Sequence, residues 1–161
     1  MNPESTTART GHGSPEDVVL GLMSAMETLD PTQIGHWLHD DVVYQNSGLP
    51  DVVGRTTVEQ FLAAFLGAFA SLTTRIVSIA SRGPLVFTER LEHHVLSHDA
   101  PIGYPGAEIM LRVAGWHEVR NGVVVRWSDY WDTREYVATM GIDLPPPRAA
   151  AGGLDRTDGC R

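Results

Sequence analysis

The first half of the chain carries apolar residues at helical spacing, interrupted by one short alternating segment. Ser14-Pro15-Glu16-Asp17 marks a helix start, since Ser favours the N-cap, Pro the first helical position and acids the first turn. Asp30-Pro31 predicts a second, short helix, and Thr56-Thr57-Val58-Glu59 has the pattern of a capping box that opens a third. Residues 41–46, between these helices, predict a short strand. The apolar sides of the three helices are formed by Val19, Leu22, Met23, Met26 and Leu29, by Ile34, Trp37 and Leu38, and by Phe61, Leu62, Phe65, Leu66 and Phe69.

The second half changes to the alternation that is typical of β-strands. Four segments have this pattern: residues 73–80, 85–96, 108–119 and 123–131. Asn121-Gly122 predicts a tight hairpin between the last two. Residues 133–140 predict a final helix that ends at Gly141. Long antiparallel strands after helices indicate an α+β fold, with a strongly curved, mixed but mostly antiparallel β-sheet wrapped around three to four helices and a deep apolar pocket.

The length of the chain fits a single domain. It has 161 residues, of which 42% are hydrophobic and 20% charged, as in an ordinary soluble protein with a real core. We predict that residues 14–144 form this domain. The polar segments 1–13 and 145–161 are expected to be disordered tails.

Charge and residue usage exclude several classes of function. The net charge of −8 makes a nucleic-acid partner unexpected. All 12 basic residues are Arg, and the absence of Lys excludes Schiff-base catalysis, a pyridoxal phosphate anchor and a P-loop. The single cysteine, Cys160, leaves no internal disulfide, which fits a reducing compartment. Because no apolar run could span a membrane and no signal peptide is visible, we expect a cytoplasmic protein without membrane contact.

One predicted strand carries charge toward the core. Side chains of a strand alternate between faces, so Arg90, Glu92 and His94 share one face. On a solvated face an Arg–Glu pair means little. In a concave pocket such a pair is costly to desolvate and usually marks a site.

A second acid is expected opposite Glu92. On the last predicted strand, Trp127, Asp129 and Trp131 share a face, which places Asp129 between two indoles. Partial desolvation raises the pKa of such a carboxyl unless a cation compensates. Arg90 is the candidate cation, and one guanidinium between two carboxylates can give them different protonation states.

This pair of acids suits the addition of water across a strained ring. Asp129 would take a proton from water while Glu92 gives one to the leaving oxygen. Tyr44 and Asn46 share a strand face and offer a hydroxyl and an amide that could hold this water. No metal or cofactor is required.

Three segments resemble the signature segments of the limonene-1,2-epoxide hydrolase family, which has a ketosteroid-isomerase-like or SnoaL-like fold, a cone-shaped α+β barrel. The resemblance extends over residues 14–141, keeps the order and spacing of the segments, and includes Gly54-Arg55. The segments are Tyr44-Gln45-Asn46, Thr88-Glu89-Arg90-Leu91-Glu92 and Arg126-Trp127-Ser128-Asp129-Tyr130-Trp131-Asp132.

The resemblance implies one-step hydrolysis of an apolar epoxide to a vicinal diol, without a cofactor and usually by a homodimer. It also implies that Asp129 is the base, that Arg90 is the bridging cation, and that Tyr44 and Asn46 hold the water. The general acid of the family is normally Asp, and Glu92 occupies that position here.

The longer Glu92 side chain leaves other functions open. An epoxide-opening cyclase or isomerase of the polyether or polyketide type is one alternative, in which a substrate hydroxyl replaces water. A non-catalytic small-molecule-binding module with the same fold is another, because a fold does not determine a function.

Side chains near the two acids are candidates for substrate binding. Trp127 and Trp131 would give the pocket an apolar lining. His94 is either a second proton carrier or a rim or core histidine. Met110 is placed with the pocket lining, although the sequence does not fix which face of its strand is inward. The histidines show no metal-ligand spacing, so no metal site is predicted.

Overall fold

The computed structural model describes residues 13–144, which contain four helices. They are α1 (Pro15–Met26), α2 (Pro31–Gly35), α3 (Arg55–Leu66) and α4 (Thr133–Met140). Ser14 caps α1 as predicted, and it forms a reciprocal capping box with Asp17. Asp30 caps α2 and Asp132 caps α4, which ends at Gly141 with φ 67°. The tails predicted at 1–13 and 145–161 lie outside the described residues, apart from Gly13.

The strands form a six-stranded sheet in the order β2-β1-β6-β5-β4-β3. Strands β1 and β6 pair in parallel and the other neighbouring strands of this sheet pair antiparallel, so the sheet is mixed and mostly antiparallel, and the α+β prediction is confirmed. The sheet is curved and, within the described residues, open at β2 and β3, so it wraps around the helices without closing. The strands are β1 (Leu38–Asn46), β2 (Val52–Val53), β3 (Phe69–Arg82), β4 (Leu85–Leu96), β5 (Glu108–Arg120) and β6 (Val123–Tyr130).

Some predictions of local structure require correction. Leu38 and Phe69, expected on the apolar sides of the second and third helices, are the first residues of β1 and β3. The capping box predicted at Thr56 does not form, because α3 begins at Arg55 and its N-cap is Gly54, which has φ 91° and no side chain to cap the helix. The short edge strand β2, in which Val52 and Val53 pair with β1, has no counterpart among the predicted elements. The hairpin at Asn121-Gly122 is confirmed, and both residues have positive φ, 50° and 77°.

The core lies between the helices and the concave face of the sheet. Helix α1 packs mainly over β3 and extends across β4, β5 and β6, α3 packs over β1 and β2, and α4 packs Tyr136 and Met140 against β5. On β4 the buried face is formed by the even-numbered residues: Val86, Thr88, Arg90, Glu92, His94 and Leu96. The charged side chains of Arg90 and Glu92 therefore lie in the middle of a mostly apolar concave face.

Candidate active site

Arg90 lies at the centre of the site and joins two carboxylates. Its Nε donates to Oε1 of Glu92 at 2.5 Å, and its Nη2 lies 2.7 Å from Oδ2 of Asp129. The third guanidinium nitrogen donates to the Thr88 hydroxyl at 3.1 Å. The Arg90 side chain is only 1% exposed. Burial alone would lower its pKa, but the charges of Asp129 and Glu92 outweigh this and raise it, so Arg90 stays a cation.

Gly115 makes this arrangement possible. It lies on β5 between Thr88 on β4 and Asp129 on β6, opposite both in register. A Cβ at this position would come within 2.8 Å of Oδ1 of Asp129 and 2.9 Å of the Thr88 hydroxyl, and still closer to Nη1 of Arg90. Gly115 therefore leaves the space that the guanidinium and the carboxylate share. The sequence prediction did not include Gly115, although a glycine inside a strand is a known signal of close approach.

Asp129 is held by one of its two oxygens. Oδ2 accepts hydrogen bonds from Nε1 of Trp127 at 2.8 Å and from Arg90, whereas Oδ1 is buried without a partner among the described residues. Burial raises the pKa of Asp129, and the charge of Glu92 raises it further against the opposing effect of Arg90. Asp129 thus has an affinity for protons and a free oxygen to receive one.

The pKa of Glu92 is shifted in the opposite direction from that of Asp129. Burial would raise its pKa, but the charge of Arg90 and the hydrogen bond from His94 together lower it to about 2. Nε2 of His94 lies 3.0 Å from Oε2 of Glu92, the oxygen that Arg90 does not use. The pKa values of the two acids are therefore shifted in opposite directions, upward for Asp129 and downward for Glu92.

Tyr44 and Asn46 reach the site from β1, which runs parallel to β6 with Tyr44 beside Trp127 and Asn46 beside Asp129. Nδ2 of Asn46 donates to the Tyr44 hydroxyl at 2.5 Å. Nε1 of Trp131 donates to Oδ1 of Asn46. Burial, with the charges of Asp129 and Glu92, raises the pKa of Tyr44, so its hydroxyl stays protonated. The structure therefore brings Tyr44 and Asn46 together beside Asp129.

Two chambers adjoin these residues. The inner chamber has a volume of about 40 Å³ and is lined by all five residues predicted to be catalytic. The outer chamber has about 250 Å³, shares Asn46, Phe65 and Trp131 with the inner one, and is otherwise mostly apolar. The rest of its lining is Leu49, Phe61, Ala64, Ile142, Asp143 and Leu144. A polar inner end with an apolar outer part is the common form of a small-molecule site.

Of the four residues predicted to bind substrate, two line the chambers and two do not. Trp127 lines the inner chamber and Trp131 lines both. His94 is 4% exposed and lies behind Glu92 rather than at either chamber. Met110 is placed wrongly by the sequence prediction. It lies on the convex face of the sheet and is 56% exposed, because Leu111 and Val113 are the residues of β5 that turn toward the inner chamber.

Two further properties of the described residues bear on function. Between residues 13 and 144, no group of three or more His, Cys, Asp or Glu side chains is placed to hold a metal ion. No helix in this same part of the chain combines the length and apolarity needed to cross a bilayer.

Comparison with known proteins identifies the family. Residues 13–140 match the limonene-1,2-epoxide hydrolase catalytic domain, and the chain belongs to this family. An LEH-like epoxide hydrolase from M. tuberculosis has a similar structure, with a TM-score of 0.65 and 23% sequence identity over 78% of this chain and 88% of that one. A protein assigned to the SnoaL-like polyketide cyclases, from Jannaschia sp. CCS1, has a TM-score of 0.70 at 13% identity over 82% and 93% of the two chains. At such identities these structures show a shared fold.

Proposed function

We propose that the protein hydrolyses an apolar epoxide to a vicinal diol in one step. Asp129 takes a proton from water, and the resulting hydroxide attacks one epoxide carbon. Glu92 gives a proton to the epoxide oxygen as its bond to that carbon breaks. Arg90 holds both carboxylates, and Tyr44 and Asn46 hold the water.

The observation that carries this proposal is the buried guanidinium between two carboxylates. Arg90 contacts Glu92 at 2.5 Å and Asp129 at 2.7 Å, and all three side chains line the inner chamber. One acid must hold a proton while the other accepts one, and a shared cation in a low-dielectric site supports such a pair. General acid and base catalysis each contribute roughly 10²–10⁴-fold.

The neighbours of Asp129 support its role as the base. Asn46 lies directly beside it in the β1–β6 register, and the Tyr44 hydroxyl is bonded to Asn46. Glu92 lies on the other side of Arg90, on β4. A water held by Tyr44 and Asn46 is therefore adjacent to Asp129, and the epoxide oxygen belongs at Glu92.

The chambers support an uncharged substrate. The inner chamber of about 40 Å³ has room for a few water-sized groups, which matches one water and an epoxide ring. The body of the substrate must then extend into the outer chamber, where apolar side chains predominate. Asp143 is the charged residue of that outer lining, and it disfavours carboxylated or phosphorylated substrates.

The proposal is tested by assaying diol formation from a panel of epoxides with the wild type and Asp129→Asn. We expect turnover by the wild type and a loss of at least about 100-fold in the variant. Asp132→Asn is the matched control, because Asp132 caps α4 and Asn caps equally well. Equal activity of Asp129→Asn and the wild type would contradict the mechanism. A cyclised or isomerised product without solvent oxygen would favour the cyclase alternative, and ligand binding without turnover would favour the binding module.

We further propose a cytoplasmic homodimer that associates through the convex face of the sheet. Three exposed apolar side chains lie on this face, one on each of three consecutive strands: Phe87, Met110 and Tyr130. Exposed apolar patches commonly mark protein interfaces. Light scattering should give a dimer for the wild type and a monomer for Phe87→Arg. A monomeric wild type would contradict this part of the proposal.

A further inference from the structure

His94 is a buried histidine with polar partners on both ring nitrogens. Its Nε2 lies 3.0 Å from Oε2 of Glu92, and its Nδ1 lies 3.4 Å from the Tyr136 hydroxyl. Glu92 gives its other oxygen, Oε1, to Arg90. Each oxygen of the general acid therefore has its own nitrogen partner, one a permanent cation and the other an imidazole that can gain or lose a proton.

The surroundings of His94 suit both protonation states of its ring. Burial and the charge of Glu92 raise the pKa of Tyr136, so Tyr136 remains a neutral hydroxyl that can donate to Nδ1 or accept from it. The side chains opposite His94 in register, Leu72 on β3 and Ile109 on β5, are apolar. Its titratable contacts are thus Glu92 on its own strand and Tyr136 on α4.

The combined charge of Arg90, Glu92 and Asp129 can be neutralised by one additional, mobile proton. Arg90 carries +1, while Glu92 and Asp129 together carry −2 when both are ionised. One additional proton makes this buried group neutral, which reduces the cost of burying its charges. The proton can reside on Asp129 or on His94. Only the second form can hydrolyse an epoxide, because Asp129 must be ionised to accept a proton from water.

We propose that His94 is a positioning residue that holds this proton and passes it through Glu92 to the epoxide oxygen. This inference rests on the proposed hydrolase function. Nε2 of His94 passes its proton to Oε2 of Glu92. As the carbon–oxygen bond of the epoxide breaks, its electron pair stays on oxygen, which takes that proton from Oε2, while the attacking water bonds to carbon and gives a proton to Asp129. The cluster is neutral before and after the step.

This role explains how Glu92 can act as an acid although Arg90 and His94 favour its ionised form. The carboxylate does not need to store a proton when the neighbouring ring can supply one over a 3.0 Å contact. After the diol leaves, the proton on Asp129 returns to the His94–Glu92 pair through water in the inner chamber.

The test compares His94→Gln with the wild type over the full pH range of activity. Gln can keep an N–H donor to Glu92 but cannot carry a mobile proton. We expect kcat to fall at least about 10-fold, in line with general acid catalysis. KM should change less than about 3-fold, because His94 lies outside both chambers. The alkaline limb of the pH profile should move to lower pH. An unchanged kcat and an unchanged profile would overturn the proposal.

The matched control is His93→Gln, the same change at the next residue. His93 points to the opposite face of β4 and contacts Glu108, so its replacement should leave kcat and the pH profile unchanged. A loss in His93→Gln equal to that in His94→Gln would also overturn the proposal.

A second readout needs neither a variant nor turnover. Nitrogen-15 NMR of the wild-type protein should show a proton on both ring nitrogens of His94 at the pH at which the enzyme is active. A ring that stays neutral throughout the active pH range would overturn the inference. If no epoxide is hydrolysed at all, the proposed function fails, and the NMR result still reports on the His94–Glu92 pair by itself.

Discussion

Trp131 donates its indole N–H to Oδ1 of Asn46, and this hydrogen bond fixes the orientation of the Asn46 amide. An indole N–H can only donate, so its partner must be the amide oxygen. Nδ2 of Asn46 is consequently turned toward the Tyr44 hydroxyl. Trp131 thereby orients the pair that we propose to hold the water, and it also forms part of the wall between the two chambers.

Trp131→Phe should lower kcat/KM about 10-fold with little change in the unfolding midpoint. Phe keeps an aromatic side chain in the wall but cannot donate to Asn46, so the amide is free to rotate and one hydrogen bond of about 1 kcal/mol is lost. Steady-state kinetics and thermal unfolding measure the two effects. Trp116→Phe is a suitable control, because Trp116 packs against Arg126 away from the chambers. Unchanged kinetics in Trp131→Phe would show that the amide needs no such restraint.

Gly115→Ala should reduce kcat/KM about 100-fold. The added methyl group would meet Arg90, Asp129 and Thr88, so the guanidinium or the carboxylate must shift, and small misplacements of catalytic groups have effects of this size. Kinetics and circular dichroism together separate lost chemistry from lost folding. Ala114→Ser, at the neighbouring outward position of β5, should behave as the wild type. A fully active Gly115→Ala would contradict the tight geometry of the site.

Ala64→Trp should discriminate between large and small epoxides. Ala64 lies on α3 and lines the outer chamber, so an indole there would fill space that a bulky substrate needs. We expect kcat/KM to fall about 10-fold for styrene oxide and to stay nearly constant for propylene oxide. Ala63→Trp, at an exposed position outside the chamber lining, is the control. Equal effects on both substrates would argue against substrate binding in the outer chamber.

The alternation of residues along β4 was sufficient to predict which side chains of that strand share the site. The charge-bearing face of Arg90, Glu92 and His94 follows from a period of two, and the structure places all three on the concave face. The position of Met110 could not be predicted in this way. Its strand has apolar residues on both faces, and only pairing with β4 decides that Leu111 and Val113 point inward.

Contacts between residues that are distant in sequence could not be predicted either. The role of Gly115 depends on the position of β5 between β4 and β6. The order of the predicted segments does not specify this arrangement. The bond from Trp131 to Asn46 joins residues that are 85 positions apart and lies just beyond the end of β6. The start of α3 was missed because Gly54 provides a backbone conformation rather than a capping side chain.

His117 should make the protein less stable as the solution becomes acidic. Its side chain is fully buried, and burial, assisted by the charge of Arg90, lowers its pKa to about 3, against a weaker contribution from the backbone of Val86. In the unfolded chain a histidine has a pKa of about 6.5. The unfolded state therefore binds more protons between these values. Stability is fully present above about pH 6.5 and is lost as the pH falls toward 3.

Urea unfolding of the wild type and His117→Leu at two pH values measures this effect. Between roughly pH 6.5 and 5 the free energy of unfolding of the wild type should fall by up to about 1.4 kcal/mol per pH unit through His117. His117→Leu should lack this part of the slope, whatever its stability at neutral pH. Identical slopes in the two proteins would show that His117 is not responsible.

The central claim is that Asp129 activates a water molecule instead of attacking the epoxide itself. A single turnover in water enriched in oxygen-18, with enzyme in excess over epoxide and analysis of the diol by mass spectrometry, tests this most directly. The proposed mechanism predicts one oxygen-18 atom in every diol formed in that first turnover. An unlabelled first-turnover diol would contradict it, since the new oxygen would then have come from a carboxylate of the protein.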